Sequence, residues 1–205
     1  MANISGLETT DLTMPVVIAL MGLPGSGKTT IAERLARARD LTVVSRDAIR
    51  AAMFRPCGYT EVEKETAYRA LLLGVAACLE LGRSCVVEGM PFSCASEIQD
   101  VRKLADAAGA DFLPVFLDCP IDVAQARAGR DVAEQSRAPA DRDEEMVARV
   151  AARFETPPPD ALRVDATATP DEIAKAILAR PEDVPVTLNP SLLPARPRAS
   201  GDPES

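Results

Sequence analysis

Two hydrophobic periods alternate along this chain. Val16 to Met21 is an unbroken apolar run, the pattern of a strand buried on both faces. Over residues 28–39 the spacing becomes helical, with Ile31, Leu35 and alanines on one face and Glu33, Arg34, Arg37 and Arg39 outside it. Leu41 to Val44 predicts a second strand, and Ala48 to Phe54 a short helix after the turn Ser45-Arg46-Asp47. Thr60-Glu61-Val62-Glu63 has capping-box spacing and opens a long helix running to about Leu81, just before Gly82. Cys85 to Val87 predicts a third strand ending in Glu88-Gly89, and Ser93 or Ser96 is placed to cap the helix after it, which Gly109 stops. Asp111 to Asp118 predicts a fourth strand, followed by a helix from Pro120-Ile121-Asp122. Glu144 to Phe154 is helical, Leu162 to Val164 a fifth short strand, and Pro170 to Leu178 a last helix capped by Thr169.

Strands that alternate with helices imply an α/β fold with a parallel sheet covered on both faces. Ligands of such sheets bind beyond the carboxyl ends of the strands. That rule gathers residues 22–29, 45–50, 88–92 and the region after Asp118 around one crevice. Residues 131–143 are polar and charged, with Arg137 and Arg142 among carboxylates, and read as a flap. Residues 1–14 read as a flexible lead-in. From Pro181 onward six of 25 residues are proline and no periodicity survives, the composition of a linker or disordered tail. The expected organisation is a flexible N-terminus 1–14, one domain over 15–180 with the flap at about 127–143, and a tail over 181–205.

The turn after the first strand changes the picture most. Gly22-Leu23-Pro24-Gly25-Ser26-Gly27-Lys28-Thr29-Thr30 satisfies the G-x-x-x-x-G-K-[ST] pattern, directly after a buried strand and directly before a helix. Its glycines allow successive N–H groups to point at one phosphate, and the helix dipole adds positive charge there. Lys28 is expected to reach the β- and γ-phosphates, and the Thr29 hydroxyl to join Mg²⁺.

Bulk properties narrow the partners. The net charge of −8 provides no general basic footprint for a nucleic-acid backbone and leans toward a neutral or cationic partner. With no histidine, neither a His base nor a His metal ligand is available. Five cysteines without C-x-x-C spacing argue for reduced, mostly buried thiols in a cytoplasmic protein. No signal-peptide pattern and no run long enough to span a bilayer is visible.

Four further positions carry candidate chemistry. Asp47, at the end of the second strand, is placed to orient and deprotonate an acceptor hydroxyl, or to cap the helix that follows. Arg50 lies one helical turn on, placed to hold the acceptor, to neutralise transition-state charge or simply to pair with Asp47. Glu88 ends the third strand, where a carboxylate contacts Mg²⁺ through water, binds substrate hydroxyls or is merely solvated. Arg127 and Arg130, three apart on the helix before the flap, suit clamping of nucleotide phosphates or a solvated face. Phe92, with Met53 and Phe54, is a candidate wall of the acceptor pocket, with core packing the competing role.

The ordered set Gly-Leu-Pro-Gly-Ser-Gly-Lys-Thr-Thr and Ser45-Arg46-Asp47-Ala48-Ile49-Arg50 resembles P-loop kinases related to phage polynucleotide kinase, zeta toxins and small antibiotic phosphotransferases. Residues 81–89, Phe116-Leu117-Asp118-Cys119-Pro120 and Arg153-Phe154-Glu155-Thr156-Pro157 extend the likeness over about 15–178. The resemblance implies a nucleoside-monophosphate-kinase-like P-loop fold with a five-stranded parallel sheet and a LID over ATP. It puts the acceptor base at Asp47 and the phosphate-clamping arginines at Arg127 and Arg130. Glu88-Gly89 looks most like zeta toxins, except that Met90 replaces their Thr. The expected activity is ATP- and Mg²⁺-dependent transfer to a hydroxyl of a small molecule such as a sugar, nucleoside or antibiotic-like product. The alternatives are a polynucleotide 5′-hydroxyl kinase, a zeta-toxin-like nucleotide-sugar kinase, and a nucleotide-binding regulatory protein without acceptor chemistry.

Overall fold

Each face of the central strands is apolar, so the sheet is buried from both sides. In the first strand Val17, Ala19 and Met21 join one core cluster while Ile18 and Leu20 join the other, the alternation a pleat imposes. Each such large side chain, taken out of water, contributes about 1.5–3 kcal/mol. In the computed structural model, residues 14–133 and 144–179 are described.

The order is β1 (Val16–Met21), α1 (Lys28–Arg39), β2 (Thr42–Ser45), α2 (Arg46–Met53), α3 (Glu61–Glu80), β3 (Cys85–Glu88), α4 (Ala95–Ala108), β4 (Asp111–Asp118), α5 (Ile121–Ala133), α6 (Glu144–Arg153), β5 (Leu162–Asp165) and α7 (Pro170–Leu178). The five strands form one sheet in the order β2-β3-β1-β4-β5, with every neighbouring pair parallel. Ile31 and Leu35 of α1 and Ile173 and Ile177 of α7 cover one face. Leu71, Val75 and Leu79 of α3 and Ile98 and Val101 of α4 cover the other. The five-stranded parallel P-loop architecture is therefore the one observed.

The caps explain most of the boundaries. Thr60 and Glu63 form the expected capping box, as do Thr169 and Glu172. The cap of α4 differs from expectation: it is Cys94, whose backbone N–H donates to Glu97 Oε2 at 3.2 Å. Ser93 is buried one residue earlier and Ser96 lies inside the helix. The N-cap of α2 is Ser45, whose Oγ accepts from Ala48 N at 3.3 Å. Asp47 is consequently in the first turn of α2, and the capping role considered for it belongs to Ser45.

Cys78, Cys85 and Cys119 are buried, Cys57 and Cys94 partly so, and all five are free. Burial foremost pushes the Cys85 thiol up to about 12, which keeps it protonated. No helix among the described residues is long and apolar enough to cross a membrane. Residues 1–13 of the expected lead-in over 1–14, the flap residues 134–143 with Arg137 and Arg142, and the whole expected tail over 181–205 lie outside the described residues.

Candidate active site

The phosphate loop joins β1 to α1 and is held from three sides. Gly22 N–H donates to the Pro91 carbonyl at 3.1 Å, tying the loop to the segment after β3. Gly25 has φ +81, and a Cβ there would lie 2.2 Å from the Ala124 carbonyl oxygen of α5. Only glycine permits that approach in that conformation. Lys28 is buried, and its Nζ donates to the carbonyls of Gly22 at 2.9 Å and Leu23 at 2.8 Å. Gly22 and Leu23 thus shape the loop and hold the lysine. Gly25, Ser26, Gly27, Lys28, Thr29 and Thr30 line a cavity of about 1020 Å³. Pro24 faces a second cavity, of about 760 Å³.

The larger cavity is the one at the phosphate loop. Beyond the loop it is bounded by Arg127 and by Ala166, Ala168, Pro170 and Ile173 from the β5–α7 region. Arg127 Nη1 donates to the Ala166 carbonyl at 2.9 Å, which fixes this guanidinium at the cavity wall. Arg130 is placed differently from expectation. It is exposed, its Nε donates to the Ala126 carbonyl of its own helix at 3.2 Å, and it lines neither cavity.

Glu88 also lines this cavity and is 2 % exposed. Its Oε2 accepts from Thr29 Oγ1 at 2.9 Å. Parallel pairing of β3 with β1 and β2 forces this meeting, because it brings the end of β3 beside the start of α1. A hydroxyl and a carboxylate at a phosphate loop are hard oxygen donors, the set that suits Mg²⁺ completed by water and phosphate oxygens. These residues fit the ion.

The smaller cavity lies on the other side of Asp47. Its walls come from four helices: Arg46 and Arg50 of α2, Lys64 and Tyr68 of α3, Glu97 and Asp100 of α4, and Met146, Arg149 and Arg153 of α6. Tyr68 braces two walls, its hydroxyl donating to Asp100 Oδ2 at 3.2 Å. Desolvation, then the Asp100 charge, raises the Tyr68 phenol far above its ordinary range. Burial raises the Glu97 carboxyl, against the lowering effect of the Cys94 N–H bond and of Arg46 and Arg153.

Four residues line both cavities: Lys28, Asp47, Arg50 and Gly89. Arg50 is 4 % exposed and its Nη2 donates to Asp47 Oδ1 at 3.0 Å. Gly89 makes the junction possible. It has φ +85, and a Cβ would lie 2.7 Å from Asp47 N and 2.8 Å from Arg46 N. The end of β3 therefore lies against the start of α2, with Asp47 at the boundary.

Phe92 is not at the site. It is 1 % exposed, packed in the α3–α4 core cluster with Met90, and lines neither cavity. A hydrophobic side chain four residues past the buried strand β3 here continues the core. Met53 is exposed and is absent from both cavity walls. Conversely, reading the sequence missed Arg46, Tyr68 and Arg149 in the smaller cavity and Tyr59 in the larger. Arg46 adjoins Asp47, and Tyr68 lies on the apolar stripe of α3, where it reads as core. Nothing in the spacing marks Arg149.

This arrangement matches a known family. The AAA domain family matches residues 17–157. The chain belongs to it. Among the relatives of this AAA-domain chain, the adenylyl-sulfate kinase of Myxococcus xanthus (strain DK1622) is 30% identical over 115 residues. That stretch is 54% of this chain and 62% of the relative, so the chain spans less than two thirds of its length. The fold is shared with the APS kinase of Mycobacterium tuberculosis in complex with AMPPNP and APS, at TM-score 0.61 and 21% identity, over 81% of this chain and 96% of that one. A gluconokinase from Sinorhizobium meliloti 1021 gives TM-score 0.60 at 21% identity, over 81% and 91%. All three are named kinases, and this AAA-domain chain shares the fold of the two solved ones.

Proposed function

We propose that the protein is an ATP- and Mg²⁺-dependent phosphotransferase whose acceptor is a hydroxyl of a small, polar, sugar-like molecule. One observation carries this reading: Asp47 stands on the boundary between a phosphate-loop cavity and a second cavity lined by charged and hydroxyl-bearing groups. A donor and an acceptor seated in these cavities would meet at Asp47. Kinase names among the relatives support the reaction class, and the gluconokinase likeness in fold agrees with a polyol acceptor.

In this mechanism Asp47 orients the acceptor hydroxyl and accepts its proton as the oxygen attacks the γ-phosphorus. The bond from that phosphorus to the β,γ-bridging oxygen breaks, and ADP leaves. Lys28 exchanges its loop carbonyls for phosphate oxygens, and the loop N–H groups and Arg127 stabilise the transferring charge. Thr29 would hold the metal ion, with Glu88 fixing the hydroxyl behind it. Bound Mg²⁺ supplies neutralisation of phosphate charge. Carboxylates and guanidiniums in the acceptor cavity satisfy several hydroxyls of one polyol at once. Glu88 lines the donor cavity only, which favours its metal-side role over a contact with an acceptor of the nucleotide-sugar type.

The test is ADP release from MgATP in the presence of single sugars, sugar acids, amino sugars and nucleosides. At least one compound should raise the rate above that with water alone, and Asp47→Asn should remove about 10²–10⁴-fold of that stimulated rate. Wild-type transfer by Asp47→Asn would end the base assignment. A rate no compound raises would favour a regulatory nucleotide-binding protein.

A further inference from the structure

The segment between α2 and α3 contains a residue that the reaction scheme has not used. Tyr59 has φ +54, a left-handed backbone uncommon for an aromatic residue. Its ring lies under the Arg50 guanidinium, 4.6 Å from Arg50 Cζ to the ring centroid. The same guanidinium donates to Asp47 Oδ1 at 3.0 Å. Arg50 therefore stands between a carboxylate and a π-face, and is 4 % exposed.

The segment is not loosely placed. Glu63 Oε1 accepts from Gly58 N at 3.0 Å, and its Oε2 accepts from Thr60 N at 2.9 Å. One carboxylate thus ties down the residues on both sides of Tyr59. These two backbone bonds chiefly hold the Glu63 carboxyl below its ordinary value, with Arg50 adding a smaller pull.

An arginine that can only pair with a carboxylate still swings about several torsions. Stacking on a fixed ring removes that freedom and shields the guanidinium from water, which strengthens its pull on the carboxylate. We infer that Tyr59 is a positioning residue of this site, whose ring holds Arg50 against Asp47 and so aims the Asp47 carboxylate at the acceptor hydroxyl. The inference rests on the assignment of Asp47 to the acceptor. Tyr59 itself contacts no reacting atom in this scheme.

The aromatic face is what matters, so Tyr59→Phe should keep the function and Tyr59→Leu should lose it. The probe for rate is MgATP with whichever compound of the panel above is phosphorylated fastest. Tyr59→Leu should lower kcat about 10-fold with KM for ATP and for that compound within twofold of wild type, and Tyr59→Phe should restore kcat to within twofold. In an Arg50→Ala background, Tyr59→Leu should add less than a further twofold, because its effect runs through Arg50. Independently of any acceptor, the Arg50 side-chain N–H signal in ¹H–¹⁵N spectra should exchange slowly with water in wild type and Tyr59→Phe, and rapidly in Tyr59→Leu.

An unchanged kcat in Tyr59→Leu overturns the inference. So does a loss seen as a raised KM, which would make Tyr59 a substrate contact. Factors that multiply in the double variant overturn it too, as does an Arg50 signal that Tyr59→Leu leaves unmoved. If Asp47→Asn transfers at the wild-type rate, the reading of Asp47 fails instead, whatever the Tyr59 variants do.

Discussion

The two cavities that meet at Asp47 are built in different ways. The larger is centred on one continuous stretch, the phosphate loop over residues 22–30, whose backbone is set locally by glycines and by the start of α1. The second cavity has no such stretch. Its walls come from α2, α3, α4 and α6, spread over the chain from Arg46 to Arg153 and held by contacts such as Tyr68 to Asp100 and Gly89 against α2. A phosphate group needs nearly the same cradle in every protein that binds it. An acceptor is particular to one enzyme, and helix side chains can change without disturbing the sheet.

The sharpest way to break this division is Lys28→Ala. It should lower the transfer rate about 10³-fold by the same factor for every acceptor tested, as read from initial rates across the panel. A factor that differs among acceptors would show that the two halves are coupled. Next, Glu88→Gln should weaken apparent Mg²⁺ affinity about 10–100-fold, read from a metal titration of the rate, with the preference among acceptors unchanged.

The boundary itself is tested by Gly89→Ala. A methyl group on a φ of +85, pressed on Asp47 N and Arg46 N, should cost about 1–3 kcal/mol in denaturant unfolding and lower kcat as α2 is displaced. Retention of both would mean that the strand end and α2 are less tightly joined than the structure shows. On the donor wall, Arg127→Ala should raise KM for ATP about fivefold, while Arg130→Ala should leave it within twofold. The reverse order would make Arg130 the functional arginine.

The smallest effect concerns the segment that carries Tyr59. The Glu63 carboxyl lies below its ordinary 4.5 in the folded protein. A lowered folded value means stability that is present above the unfolded value and is lost as pH falls through the folded one. Glu63→Gln should therefore lower Tm slightly at pH 7, and the gap to wild type should narrow as pH drops below 4.5 in a thermal-melt series.

Several elements were readable because their signals are local. The apolar run of β1, the capping boxes at Thr60 and Thr169 and the phosphate loop each depend on neighbours within a few residues. Asp47 and Glu88 were readable as strand-end carboxylates, since the sheet rule places such ends at a crevice. Phe92 was misplaced because an aromatic after a strand end has the same pattern whether it faces a pocket or the core. The α4 cap was misplaced because a backbone N–H to Glu97 contact outweighed the preference for serine. Arg130 shares a helix face with Arg127 by spacing, but it lies one turn farther along α5, beyond the reach of the β5–α7 region, and its guanidinium turns back to the Ala126 carbonyl while Arg127 reaches Ala166.

By itself, then, the sequence determined the α/β alternation, the strand–loop–helix that receives phosphate and the carboxylates at the strand ends, since each follows from short-range backbone and hydrogen-bonding preferences. Only the tertiary structure decided that Glu88 meets Thr29, that Arg50 is clasped between Asp47 and Tyr59, and that four helices wall a second cavity beside Asp47. Those depend on which strands pair and how far apart the helices sit, and both are settled by packing across the whole sheet.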